Sequence, residues 1–111
     1  MIRRETTNAD GTQLWMLISQ IEHAHLSGEL ARAWGDAEAL PLPAVTLPTI
    51  DHHDDGWDTW EQAPTIDPAT GKPRAFTEMP NEMAHDIWKR SISAVAAWGP
   101  LAQYMVAQHF L

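Results

Sequence analysis

The eight prolines of this chain, all between residues 41 and 100, decide where regular structure can run. Proline fixes its own φ, donates no backbone hydrogen bond and disfavours the helical conformation in the residue before it. Pro41, Pro43 and Pro48 crowd one segment, Pro64, Pro68 and Pro73 another, and Pro80 and Pro100 stand alone. Proline also suits the first turn of a helix, so Pro48, Pro80 and Pro100 mark helix starts as well as breaks.

Read in that frame, the sequence predicts a mainly helical fold behind a small N-terminal β-hairpin. Asn8-Ala9-Asp10-Gly11 is a turn cluster between two short runs, 2–6 and 13–18. Ser19-Gln20-Ile21-Glu22 then has the form of a capping box opening a helix that ends near Trp34, before Gly35. Its expected buried face is His23, Leu26, Leu30, Ala33 and Trp34. A second helix begins no later than Pro48 and runs through His53 to about Trp57, and 58–79 reads as a long loop. A third runs from Pro80 to Trp98 with Met83, Ile87, Trp88, Ile92 and Val95 inward, and Gly99-Pro100 separates it from a fourth. The last helix is uncapped at Phe110-Leu111, so either a partner chain covers this end or the natural protein continues beyond it.

At 111 residues the chain has room for one domain, spanning 1–111, and six tryptophans supply much of its burying power. A formal charge of −8 with seven Lys and Arg leaves no basic surface, so nucleic-acid binding is not expected. An anionic small-molecule substrate fits only if a metal supplies the local positive field. The absence of cysteine excludes disulfides, thiolate metal sites and cysteine nucleophiles. No apolar run is long enough to span a membrane and the N-terminal residues lack a secretory core, so the expected location is the cytoplasm. A homo-oligomer is compatible with all of this.

The chemistry is concentrated in histidine. His23, His53, His85 and His109 each fall on the apolar side of a predicted helix. Any one of them is explained by a core imidazole bonded to a backbone carbonyl. Four together are better explained by a shared metal that gives every ring a partner. The densest cluster is Asp51-His52-His53-Asp54-Asp55. Successive helical residues turn by about 100°, so the five cannot aim at one point, but the adjacent pair His53-Asp54 can straddle one ion. Imidazole plus carboxylate suits Fe, Mn, Zn or Ni better than Ca. Asp51, His52 and Asp55 are equally compatible with a solvated acidic helix end. Ser27, Ser91 and Ser93 lack any nucleophile context, and no Gly-rich phosphate loop is present.

His53-Asp54-Asp55-Gly56 resembles the His-Asp-x-Gly signature of the HD-domain superfamily of metal-dependent phosphohydrolases. His23 stands where those proteins carry an earlier histidine. More closely, Glu22-His23-Ala24-His25-Leu26-Ser27-Gly28, His53-Asp54-Asp55-Gly56-Trp57, Trp60, Pro64, Phe76 to Pro80, His85, Trp88 and Ala107-Gln108-His109 resemble an uncharacterised family of HD-like bacterial proteins, generally longer chains. The resemblance implies an HD-like helical bundle. One departure is that HD domains close the site with a late aspartate, whereas no Asp or Glu follows Asp86. His109 takes that place, or the ligand lies beyond residue 111.

The expectation is a metal-dependent hydrolase acting on a phosphorylated small molecule. His23, His53, Asp54, His85 and His109 would hold one or two divalent ions, with Asp54 and Asp55 as the catalytic carboxylates and Asp55 orienting water. An HD-like iron oxygenase and a non-catalytic binding protein stapled by its metal are the alternatives. Lys72 and Arg74 in the long loop, or Lys89 and Arg90 after His85, are the basic residues available to grip phosphate.

Overall fold

A computed structural model describes residues 1–34 and 42–110. Two antiparallel strands, β1 (Ile2–Thr7) and β2 (Gln13–Ile18), pair in the register Ile2 to Ile18 and Thr7 to Gln13. Gly11, at φ 87°, and the Asp10 carboxylate, which accepts from the Thr12 amide, close the turn. Arg3 grips both carboxylate oxygens of Glu78 and lies over the Trp15 ring, so the hairpin is tied to the chain just before Pro80.

Helix α1 (Gln20–Ala33) starts where the Ser19 hydroxyl accepts from the Glu22 amide. The next orphan donor, Gln20 N–H, is satisfied by Glu61 at 2.7 Å, which also accepts from the Ser19 hydroxyl and pairs with the amino group of Met1. Its buried face differs from the one expected. Gln20, Ala24 and Gly28 face inward at intervals of four, while Leu26, Leu30 and Trp34 are 58, 61 and 87 % exposed. The reason is steric: the small residues form a flat strip on which α2 (Thr46–His52) lies. A Cβ at Gly28 would overlap the Asp51 carboxylate, which Arg32 holds in place. The expected stop at Gly35 falls outside the described residues.

Pro48 sits in the first turn of α2, which ends at His52, earlier than expected. The backbone turns at His53-Asp54, re-forms as a 3-10 turn at Asp55–Trp57 and continues into a short helix, α3 (Asp58–Glu61). The rest of the long loop carries a β-bridge between Ile66 and Pro73 and a 3-10 turn at Phe76–Glu78. Helix α4 (Asn81–Ala94) follows Pro80, and a 3-10 turn runs on to Trp98. Gly99, at φ 91°, then lets α5 (Pro100–His109) double back.

The motif glycine, Gly56, has a packing role. A Cβ there would overlap the Ile87 carbonyl and the Ser91 backbone of α4, and its own N–H donates to the buried Ser91 hydroxyl. This close approach seats the chain just after Asp54 directly against α4. Met1, Trp57, Trp60, Met79 and Ile87 form one apolar cluster, and Val95, Ala102 and Val106 a second. Phe110 packs on this second cluster and stacks on Trp88 with ring centres 5.2 Å apart. Phe110, expected to be covered by a partner chain or by residues beyond 111, is covered in part by its own chain, and Leu111 lies outside the described residues. Among the described residues no helix is long and apolar enough to cross a membrane.

Candidate metal centre

His23 comes from the first turns of α1, His53 from the end of α2, and Asp54 from the turn that follows. One ligand atom from each lies within 4.8 Å of the other two. His53 has a defined tautomer. Its Nδ1 lies 2.7 Å from the Ile50 carbonyl oxygen, an acceptor only, so Nδ1 carries the proton it donates. Nε2 is left facing Asp54 Oδ2 at 3.3 Å. In the neutral ring this sets a lone pair against a carboxylate oxygen, and only a cation between or beside them relieves the contact. A proton is one such cation. Burial pushes the His53 imidazole pKa down, but contact with Asp54 and the Ile50 carbonyl outweighs it and holds the pKa above the usual histidine value.

Asp54 is the strongest single anomaly. It is 1 % exposed, and neither carboxylate oxygen has a hydrogen-bond partner. Burying a carboxylate with no hydrogen bond costs several kcal/mol, a demand that His53 and the more distant Met1 amino group meet only in part and that a bound cation removes. No arginine or lysine answers it: His53 is the only described ion-pair partner of Asp54. Gln20 Oε1, a second buried acceptor without a donor, belongs to a residue that lines one cleft together with Asp54. The donor set and the orphaned carboxylate therefore fit a divalent ion.

His109 of α5 sets its ring edge-on to His53, with centres 4.6 Å apart. Burial first, and then the neighbouring His53, hold its pKa below the usual value, leaving the ring neutral with a free lone pair near pH 7. It stands at the junction of two clefts. One, of about 270 Å³, is lined by His23, His53 and His109 with Ser27 and Thr49. The other, of about 460 Å³, reaches Asp54 and is walled by Trp57, Phe76, Trp88 and Phe110. The Ser27 and Thr49 hydroxyls donate to the helix carbonyls of His23 and Val45. A larger groove between Trp60 and Arg90 carries none of these imidazoles.

Of the five side chains expected to converge, His23, His53 and Asp54 are together and His109 abuts His53. His85 does not turn inward. It is exposed on α4 with its ring on Trp88, because α4 buries Ile87 and Ser91 instead. Asp55, expected to orient water, points elsewhere: its carboxylate takes His52 Nδ1 at 2.8 Å. With His25 these two form a second group whose ligand atoms lie within 4.8 Å. His25 is not among the ligands expected from the sequence, although the alternation His23, His25 on α1 against His52, His53 on α2 carries the signal for it. The basic residues expected near a phosphate are engaged away from the clefts. Lys72 pairs with Glu5, Arg74 with Asp67, and Arg90 with Asp86, and neither imidazole-bearing cleft is lined by Lys89.

These features define a small, mainly helical protein with a buried histidine–carboxylate cluster that could hold a metal. A family model described as "Protein of unknown function (DUF3891)" matches residues 1–111, and the chain belongs to that family. No curated protein and no solved structure matches it.

Proposed function

We propose that this protein is a cytoplasmic, HD-like, metal-dependent hydrolase acting on a phosphorylated small molecule, with its ion held by His23, His53 and Asp54. The observation that carries the reading is the fully buried Asp54 carboxylate, with no hydrogen-bond partner on either oxygen among the described residues and only His53 beside it. Two imidazoles and a carboxylate suit Fe, Mn, Zn or Ni, and three protein ligands leave positions open for chemistry. A bound ion supplies Lewis acidity and brings the pKa of a water toward ~7. His109, neutral and at the rim of both clefts, is placed to accept and return a proton or to join the ligand set. The aromatic walls around Asp54 exclude bulk water and accept the organic part of a substrate. Neither cleft is lined by lysine or arginine, so substrate charge would be met by the ion.

The test is a panel of phosphomonoesters, phosphodiesters and nucleotides, run on metal-depleted protein reloaded with Mn, Fe, Co, Ni, Zn or Mg. Turnover that depends on metal and is lost in Asp54→Asn and reduced in His109→Ala supports the proposal. Failure of every metal to give turnover on any of these substrates overturns it.

A second reading rests on the same donor set. Two histidines and one carboxylate are also the ligands of non-haem Fe(II) oxygenases, whose sites keep open positions. Oxygen uptake by the Fe(II)-loaded protein, with no phosphate release, would select it. A metal that raises the melting temperature and supports neither activity would leave the ion the role of a structural staple.

A further inference from the structure

We propose that His25, His52 and Asp55 form a second, solvent-facing site for a late first-row divalent ion, separate from the buried centre. Ala24, fully buried, lies on the strip of α1 that α2 covers. His23 and His25 flank it in sequence, each about 100° away around α1 in opposite directions. Adjacent residues at the end of α2 diverge by a similar angle, so His53 meets His23 on one flank and His52 meets His25 on the other. The ring centres record both meetings, 6.1 Å for His23–His53 and 6.1 Å for His25–His52. The turn after α2 then delivers one aspartate to each flank, Asp54 inside and Asp55 outside.

The outer group is ordered by more than its own members. The His52 ring stacks on Trp98 with centres 4.9 Å apart and planes 22° apart, while Asp55 holds its Nδ1. Among the described ion pairs Asp55 meets His52 alone and no lysine or arginine, so no fixed cation neutralises its charge. Ligand atoms within 4.8 Å need only small side-chain rotations to reach the roughly 3.3 Å spacing that bonds of about 2.0–2.2 Å impose. Two imidazoles and one carboxylate select Zn²⁺, Ni²⁺ or Cu²⁺ over Ca²⁺ and Mg²⁺. With half-exposed ligands and open coordination positions, this ion exchanges with solvent more readily than the inner one. The site stands whether or not the inner centre is a hydrolase.

The experiment is titration of the untagged, metal-depleted protein with Zn²⁺, read by calorimetry, and with Cu²⁺, read by tryptophan emission. The wild type should take one ion per group of three ligands, hence two per chain. His25→Ala combined with His52→Ala should remove one, Asp54→Asn should remove the other, and Asp55→Asn should weaken the outer ion alone. Cu²⁺ at the outer site should quench Trp98, which stacks on a ligand. Trp98→Phe should therefore lose a distinct part of the quenching while keeping the Zn²⁺ stoichiometry. The ligands are at the surface, so circular dichroism should be unchanged in every outer-site variant. The proposal is overturned if the double histidine variant keeps the wild-type stoichiometry and quenching, or if the wild type binds a single ion that Asp54→Asn abolishes. Loss of the inner ion with retention of the outer one would instead count against the hydrolase reading and leave this one intact.

Discussion

The two groups of ligands on α1 and α2 have the same composition, two histidines and an aspartate, and come from the same two stretches of chain, yet they are in opposite physical situations. Outside, Asp55 is about a third exposed, takes a 2.8 Å hydrogen bond from His52 and has water for its remaining lone pairs. Inside, Asp54 is sealed, with His53 Nε2 at 3.3 Å and no hydrogen bond. Identical donors thus form a tolerable surface pair on one flank and an electrostatic deficit on the other. Burial alone makes the difference: the attraction of a carboxylate for a cation grows as water is removed, and so does the cost of having none.

The sharpest way to break that comparison is to neutralise each aspartate in turn. Asp54→Asn should weaken the inner ion by about 3–5 kcal/mol, on the order of 10²–10⁴-fold, and should also stabilise the metal-free protein by about 1–3 kcal/mol. Asp55→Asn should change metal-free stability by less than ~0.5 kcal/mol, as solvent-facing substitutions do. Paired metal titrations and urea melts read both. An Asp54→Asn protein that is less stable than wild type without metal would show that the carboxylate is not a deficit.

The glycines that let the two flanks form should differ as well. Gly56→Ala sets a Cβ against the α4 backbone, which cannot move aside, and should cost about 3 kcal/mol by denaturant unfolding. Gly28→Ala meets side-chain atoms alone, the Asp51 carboxylate and the Arg32 guanidinium, which can turn aside, and should cost under ~1 kcal/mol. Equal losses would mean that α1 and α2 are locked as rigidly as the turn against α4.

Metal removal comes next in size. At free metal about 100-fold above its dissociation constant, chelation should lower stability by about 2.7 kcal/mol. His53→Ala should abolish most of that response, and His52→Ala only the outer share. A melting curve unmoved by verified depletion would remove the energetic basis for the inner centre.

The smallest effect lies outside both groups and serves as their baseline. The Arg3 guanidinium, and then the Ala75 N–H, hold the Glu78 carboxyl below its usual range. A depressed carboxyl contributes stability above its unfolded pKa and loses it as pH falls through the folded one. Acid should therefore loosen the hairpin, seen as faster amide exchange in β1, and Glu78→Gln should remove this step.

Local signals in the sequence determined much of what positions the site. The hairpin turn at Asn8–Gly11, the Ser19 cap, the start of α4 after Pro80 and the break at Gly99-Pro100 are set by backbone chemistry that each short segment carries by itself. The pair His53-Asp54 was legible for a similar reason, since adjacency in the chain guarantees adjacency in space. Tertiary structure decided which faces turned inward. Leu26, Leu30 and Trp34 give α1 an apolar stripe, but the small residues Ala24 and Gly28 form the strip that α2 covers, with the Asp51 side chain set where a Gly28 Cβ would lie. That choice put His25 beside His52, and the packing of Ile87 and Ser91 left His85 at the surface. Periodicity reports which residues share a face, while the shape and chemistry of the neighbour determine whether that face is covered.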